Sequence, residues 1–76
     1  MAAAYVLMQL QRSAPQNLLQ AIRDIAGVKH THALAGPTDV IAFIEGADQA
    51  ALLTALGALR NLEGIASTDT HIAWEM

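Results

Sequence analysis

Three groups of residues in this chain of 76 have the types and spacing that chemistry needs. The first is Gly36-Pro37-Thr38-Asp39. A glycine lets a ligand approach the backbone and offers N–H groups to a carboxylate. The Asp39 carboxylate can accept a hydrogen bond from an α-ammonium. The plainer alternative is that Gly-Pro turns the chain and Asp39 caps that turn through its own backbone. From its own surroundings in the sequence, Asp39 fits both readings.

The second group is Thr68 and Thr70, two residues apart and therefore on one face of a strand. Two hydroxyls in a row can bind a carboxylate or an amide. Threonine is also simply a good edge-strand residue, and that account suffices for Thr68; Thr70 is the better site candidate. The third group is His30 and His32, which share a strand face and could hold a metal with His71 as third ligand. No cysteine is present, and no carboxylate has a ligand-like spacing to the histidines. The expectation is polar edge-strand residues at an oligomer contact, with no metal and no cofactor. Protonation of histidines at such a contact, near pH ~6.5, would weaken assembly.

Catalytic signatures are missing from the sequence. It has no nucleophile elbow, no phosphate-cradling glycine loop and no paired carboxylates, so the expectation is not an enzyme.

The elements that must position these groups come from an internal repeat. Ala21-Ile22-Arg23-Asp24-Ile25-Ala26-Gly27-Val28 is echoed by Ala58-Leu59-Arg60-Asn61-Leu62-Glu63-Gly64-Ile65, thirty-seven residues on. Self-similarity at a fixed offset defines a building unit. The unit here is a helix ending at a glycine and handing over to a strand, so two units make a duplicated β-α-β domain. Ala3 to Leu10 reads as a first strand through Tyr5-Val6-Leu7-Met8. Ser13 offers an N-cap with Gln16 three residues on, as in a capping box, and Pro15 fits the first helical turn. Leu18, Leu19, Ile22 and Ile25 form one apolar stripe. Arg23 complements the helix dipole, and Gly27 suits the left-handed position after the helix end. Val28 to Ala35 is the second strand, Gly36-Pro37 a turn, and Asp39 to Glu45 the third strand. Gly46 breaks it, and Asp48 opens a second helix lined by Leu52, Leu56 and Leu59. Gly57 inside that helix suggests close packing on a sheet. Ile65 to about Trp74 is the fourth strand.

The order β-α-β-β-α-β predicts an α+β, ferredoxin-like fold. It is a four-stranded antiparallel sheet, order 4-1-3-2, with both helices on one face. Strands one and three are central in that order, and they are the two that read apolar on both faces. The edge strands carry Lys29, His30, Thr31 and His32, and Ser67 to His71. A strand apolar on both faces needs cover on both. The helices cover one face, and a partner's sheet is expected on the other. The composition agrees: 54% of residues are hydrophobic and the mean hydropathy is +0.35, more apolar character than a single-layer domain of this size needs. Trp74 is expected to anchor a subunit contact.

Net charge is −3, with Arg12, Arg23, Lys29 and Arg60 widely spread. That argues against direct nucleic-acid binding, which needs clustered cations. The longest apolar run falls far short of the ~20 residues of a membrane helix. No signal-peptide pattern opens the chain, so the expected location is the cytoplasm.

The Gly36-Pro37-Thr38-Asp39 hairpin in this frame, with Leu62-Glu63-Gly64-Ile65 followed by Thr68-Asp69-Thr70, resembles the effector-binding (RAM) domain of the leucine-responsive/AsnC, or feast/famine, transcription regulators. The resemblance covers essentially the whole chain. It implies a sheet-to-sheet homodimer, higher ring oligomers, and an amino-acid effector bound between dimers near the second hairpin and the fourth strand. The implied ligand residues are Gly36, Thr38, Asp39, Thr68 and Thr70. The family often has an aromatic residue where Thr38 stands. The family's usual helix-turn-helix is missing, so the resemblance implies a stand-alone ligand domain of residues 1–76 that could mix with full-length regulators. The alternative is a small dimeric α+β barrel enzyme of the monooxygenase type. Histidines lining a closed cavity within the subunit would favour it.

Overall fold

A computed structural model describes residues 1–36 and 38–74 of the chain. The elements run β1 (Ala2–Leu10), α1 (Leu18–Arg23), β2 (Val28–Ala33), β3 (Val40–Gly46), α2 (Gln49–Arg60) and β4 (Ile65–Ala73). The strands form one antiparallel sheet in the order β2-β3-β1-β4. This is the expected ferredoxin-like arrangement, with the two apolar strands in the centre.

Alternation along the central strands divides the sheet into two unlike faces. Ala4, Val6 and Met8 of β1 and Val40, Ala42 and Ile44 of β3 are all buried. They pack with Leu18 and Ile22 of α1 and Leu52, Ala55, Leu56 and Leu59 of α2 in one cluster. The intervening residues, Tyr5, Leu7, Ile41 and Phe43, point to the face that carries no helix, because successive strand side chains alternate. No polar or charged residue is buried among the described residues, although the Thr31 hydroxyl oxygen on β2 is screened from solvent without a hydrogen-bond partner.

The sequence repeat is reproduced bond for bond. After α1, Asp24 N–H donates to Gln20 O, Ile25 N–H to Ile22 O and Val28 N–H to Ile25 O. After α2, Asn61 N–H donates to Gly57 O, Leu62 N–H to Leu59 O and Ile65 N–H to Leu62 O. Gly27 and Gly64 sit at φ 99° and 101°, a backbone state that favours glycine. Each helix ends at its arginine with Asp24 or Asn61 as C-cap. The glycines therefore lie beyond the expected capping position, at the third residue of the turn that launches the next strand. Their carbonyls are used alike: Gly27 O accepts from Glu45 N–H and Gly64 O from Gln11 N–H, both at 2.8 Å. Each turn thus ties the start of an edge strand to the end of the central strand beside it.

The first helix is shorter than its sequence suggests. It begins at Leu18 with Asn17 as N-cap and no side-chain capping bond, so the Ser13–Gln16 capping box does not form. Residues 11–18 make two turns instead, with Ala14 N–H donating to Gln11 O and Leu18 N–H to Pro15 O. The segment packs closely on the Gly64 turn: a Cβ on Gly64 would come within 2.9 Å of Pro15 Cδ and 3.0 Å of Ala14 Cβ. This segment is held against the Gly64 turn rather than wound into helix. The equivalent start of α2 follows expectation, with the Asp48 carboxylate accepting from Ala51 N–H at 2.8 Å. β2 ends two residues early, at Ala33, and β3 runs on to include Gly46. Pro37 lies outside the described residues.

Gly57 corrects another expectation. A Cβ built there meets nothing within 4 Å, so close packing does not explain it. Gly57→Ala is expected to stabilise the chain by about 1 kcal/mol through helix propensity. Gly64→Ala is expected to cost about 1–3 kcal/mol through positive φ and the Pro15 contact. Thermal unfolding of the two variants should move in opposite directions, by about 4–8 °C per kcal/mol for a domain of this size.

Candidate functional site

The hairpin between β2 and β3 is fastened to the end of β1. Asp39 N–H donates to Met8 O at 3.0 Å, and Leu34 N–H donates to Asp39 O at 2.8 Å. The Asp39 carboxylate accepts from Leu10 N–H at 2.9 Å across 29 residues of sequence. It therefore caps a neighbouring strand rather than its own turn. Leu10 lies beyond the last β1–β3 pair, Met8 with Val40, and β1 shifts register against β4 between Gln9 and Leu10. Gly36 has φ 120° and open space where a Cβ would be. Thr38 is half-buried and Gly36 exposed. The Gly36 backbone is accessible, and the Asp39 carboxylate lies at the base of the hairpin.

Thr68 pairs with Met8 and Thr70 with Val6 across the β1–β4 ladder. Their partners are buried on the helix-bearing face, so both threonines point to that face at the β4 edge. Thr68 lies at the same end of the sheet as Asp39, but β1 runs between them. Thr70 is two residues further along. One chain therefore brings the hairpin and Thr68 to a common end of the sheet. The concavities beside Tyr5, along the β2 edge, beside Gly46 and beside Trp74 contain none of Gly36, Thr38, Asp39, Thr68 and Thr70.

A second assembly of side chains occupies the face without helices. Paired residues across the ladders form level rows: His30, Phe43, Tyr5 and His71 in one, and His32, Ile41, Leu7 and Asp69 in the next. Phe43 lies 4.8 Å from Tyr5 and 6.3 Å from His30 between ring centroids. A concavity of about 370 Å³ is lined by Tyr5, His30, His32, Ile41 and Phe43. Another of about 410 Å³ runs from Tyr5 and Phe43 to Trp74. At the opposite edge, His71 Nε2 and Asp69 Oδ2 lie 3.0 Å apart. All three histidines of the chain thus stand on one open sheet face, and none lines a closed cavity within the subunit. His30 and His32 are on β2, with His71 across the sheet on β4. Among the described residues no group of three potential metal ligands meets within one chain.

The role of Tyr5 and Phe43 was not separable from strand-forming propensity in the sequence. Their signal was parity: both fall on the positions that alternate with the buried residues. Trp74 is 76% exposed. No described helix is long and apolar enough to cross a membrane.

Comparison with known proteins places these features in context. Residues 3–76 match the family model of the Lrp/AsnC ligand binding domain. The chain resembles the crystal structure of TTHA0845 from Thermus thermophilus at 27% identity and TM-score 0.87, covering 100% of this chain and 96% of that one. It also resembles a feast or famine regulatory protein from M. tuberculosis complexed with L-methionine (21% identity, TM-score 0.80), covering 100% of this chain and 52% of that one. E. coli AsnC has the same fold at 14% identity and TM-score 0.79, with 99% and 52% covered. The chain spans about half the length of these last two proteins. No curated protein sequence matches it.

The Asp39–Leu10 bond has a measurable consequence. Asp39→Ala removes a charged acceptor and is expected to lower stability by about 1–3 kcal/mol. Asp39→Asn keeps an acceptor oxygen and should retain most of that stability in urea unfolding. An alanine variant as stable as the parent would show that the cap contributes nothing.

Proposed function

Because the chain belongs to the Lrp/AsnC ligand-binding domain family, we propose that it is an amino-acid-sensing regulatory domain that works by assembling with copies of itself. The observation that carries this reading is the two-faced sheet. Its central strands present Tyr5, Leu7, Ile41 and Phe43 on a face that no element of the chain covers. Burying apolar area is favourable by roughly 25 cal/mol per Å², and a second copy's matching face supplies that burial by symmetry.

The effector would sit at the end of the sheet where the hairpin meets β1 and β4. Gly36 gives access to backbone N–H groups for a carboxylate. The Asp39 carboxylate, with Thr38 and the Thr68 and Thr70 hydroxyls, offers acceptors for an ammonium. The site would be completed by a neighbouring subunit in a higher ring. Binding would then favour one assembly over another, because a ligand shifts an equilibrium only through its differential affinity for the two states. Shared interfaces would also allow mixed assembly with full-length regulators of the family. Two regulators of this fold, from M. tuberculosis and Neisseria meningitidis, are described in complex with L-methionine. That makes methionine the first effector to try.

A regulatory role also fits the histidines better than catalysis does. They stand on an open sheet face rather than around a substrate cavity within the subunit.

Two measurements test the proposal. In a thermal-shift screen of the twenty amino acids, at least one should raise the melting temperature, since a ligand at 100 times its Kd adds about 2.7 kcal/mol to folding. That shift should shrink in Asp39→Asn. Absence of any shift at millimolar concentrations would refute the sensor reading. In sedimentation, Tyr5→Asp should convert dimer to monomer without unfolding it, because Tyr5 is 46% exposed in the single chain. An unchanged dimer would place the interface elsewhere.

A further inference from the structure

Two of the four fixed cations of this acidic chain, Arg23 and Lys29, border one concavity. It measures about 310 Å³ and lies along the edge strand β2. Val28, His30, Thr31 and His32 complete its lining, and no acidic residue contributes. Among the described residues neither the Arg23 nor the Lys29 side chain has an ion-pair or hydrogen-bond partner. The carboxylate next in sequence, Asp24, is engaged by Gln20, whose Nε2–H donates to Asp24 Oδ1 at 2.8 Å. A bulge arranges this cluster. The β2–β3 register shifts between Val28 and His30, which leaves Lys29 without a partner opposite it. Val28 pairs with Ile44 and Thr31 with Ala42, and both partners are buried on the helix side. In an unbroken strand, residues three apart point to opposite faces. The extra residue brings Val28 and Thr31 to one face, beside the end of α1 where Arg23 stands. Thr31 then presents two donors. Its hydroxyl oxygen is screened from solvent and has no partner, a state that costs stability. Its backbone N–H points out of the sheet. Leu34 N–H donates inward to Asp39 O, and N–H direction alternates along a strand, so Thr31 N–H faces the unpaired edge.

We propose that this edge of β2 is a binding site for a phosphate group, either the free ion or one carried by a small phosphorylated molecule. The Arg23 guanidinium supplies a planar fork that suits two phosphate oxygens, and the Lys29 ammonium supplies a point charge. Thr31 N–H is a third donor, and an acceptor seated against Thr31 gives its hydroxyl the partner it lacks. His30 and His32 add ring nitrogens at the rim. The volume falls at the lower end of the range for small-molecule sites. A net charge of −3 opposes long polyanions such as nucleic acid. None of Gly36, Thr38, Asp39, Thr68 and Thr70 lines this concavity, so the site is separate from the effector site proposed above. Arg23 and Thr31 stand on the helix side of the sheet, so it does not depend on what covers the open face.

The test follows the backbone amides of the full chain by NMR as inorganic phosphate is added, with sodium chloride at matched ionic strength as the control. Phosphate should shift the signals of Lys29 to His32 saturably, and chloride should not reproduce that shift. The double variant Arg23→Gln with Lys29→Gln should bind at least about 10-fold more weakly, since hydrogen bonds to charged groups are the strong ones. Both side chains are exposed, so the remaining signals should stay in place. Thr31→Val should bind about 5–10-fold more weakly, yet melt no lower than the parent without phosphate, because it deletes an unpaired hydroxyl. Glycerol phosphate distinguishes the two sources. Affinity equal to that of inorganic phosphate assigns the site to the free ion, and tighter binding assigns it to a phosphorylated metabolite. No saturable shift at millimolar phosphate, a chloride response of the same size, or undiminished binding by either variant would overturn the inference. The thermal shift with amino acids should be the same in the parent and the double variant, so failure of the phosphate site would leave the sensor reading standing.

Discussion

Everything in this molecule depends on one geometric constraint: a β-strand has two faces, and both helices pack on the same one. Among the described residues, six apolar side chains from β1 and β3 and six from the helices make the buried core. It is a single thin layer, as expected for a chain of this length. The alternate residues of the same strands gain nothing from it. The apolar face they form is a direct outcome of strand periodicity in a fold with too few elements to cover it. The helices cover one face, and the other is left open within the chain.

Two glycine turns hold that layer in register. Gly27 and Gly64 direct each helix into an edge strand, and their carbonyls then bond the end of a central strand. The duplication is thus functional at the level of hydrogen bonds, not only of sequence. The halves differ in helix length. The Gly64 turn packs against Ala14 and Pro15, which lie ahead of α1. At the start of α2, where Gly46 lies close to the first turn, the Asp48 cap forms.

The candidate chemistry lies where the halves are not equivalent. The hairpin joins them, and Asp39 anchors it to β1 through a bond spanning 29 residues. The hairpin, the threonine pair and the histidines could each be picked out from residue type and spacing. What could not be read was their grouping. Thr68 and Thr70 share a face, as the period of two requires, but that face is the helix side, whereas Asp69 and His71 point the other way. Spacing gives relative parity and leaves the absolute side open.

By itself the sequence determined the order of elements, the sheet topology, the central and edge strands, the turn glycines and the family frame. These follow from local periodicity and from residues whose backbone preferences act over a few positions. Tertiary structure alone decided that α1 starts at Leu18, that Gly57 has free space, that Asp39 bonds Leu10, and that all three histidines share the open face. Each of these depends on contacts between residues far apart in the chain, set by register and packing rather than by any residue's own preference.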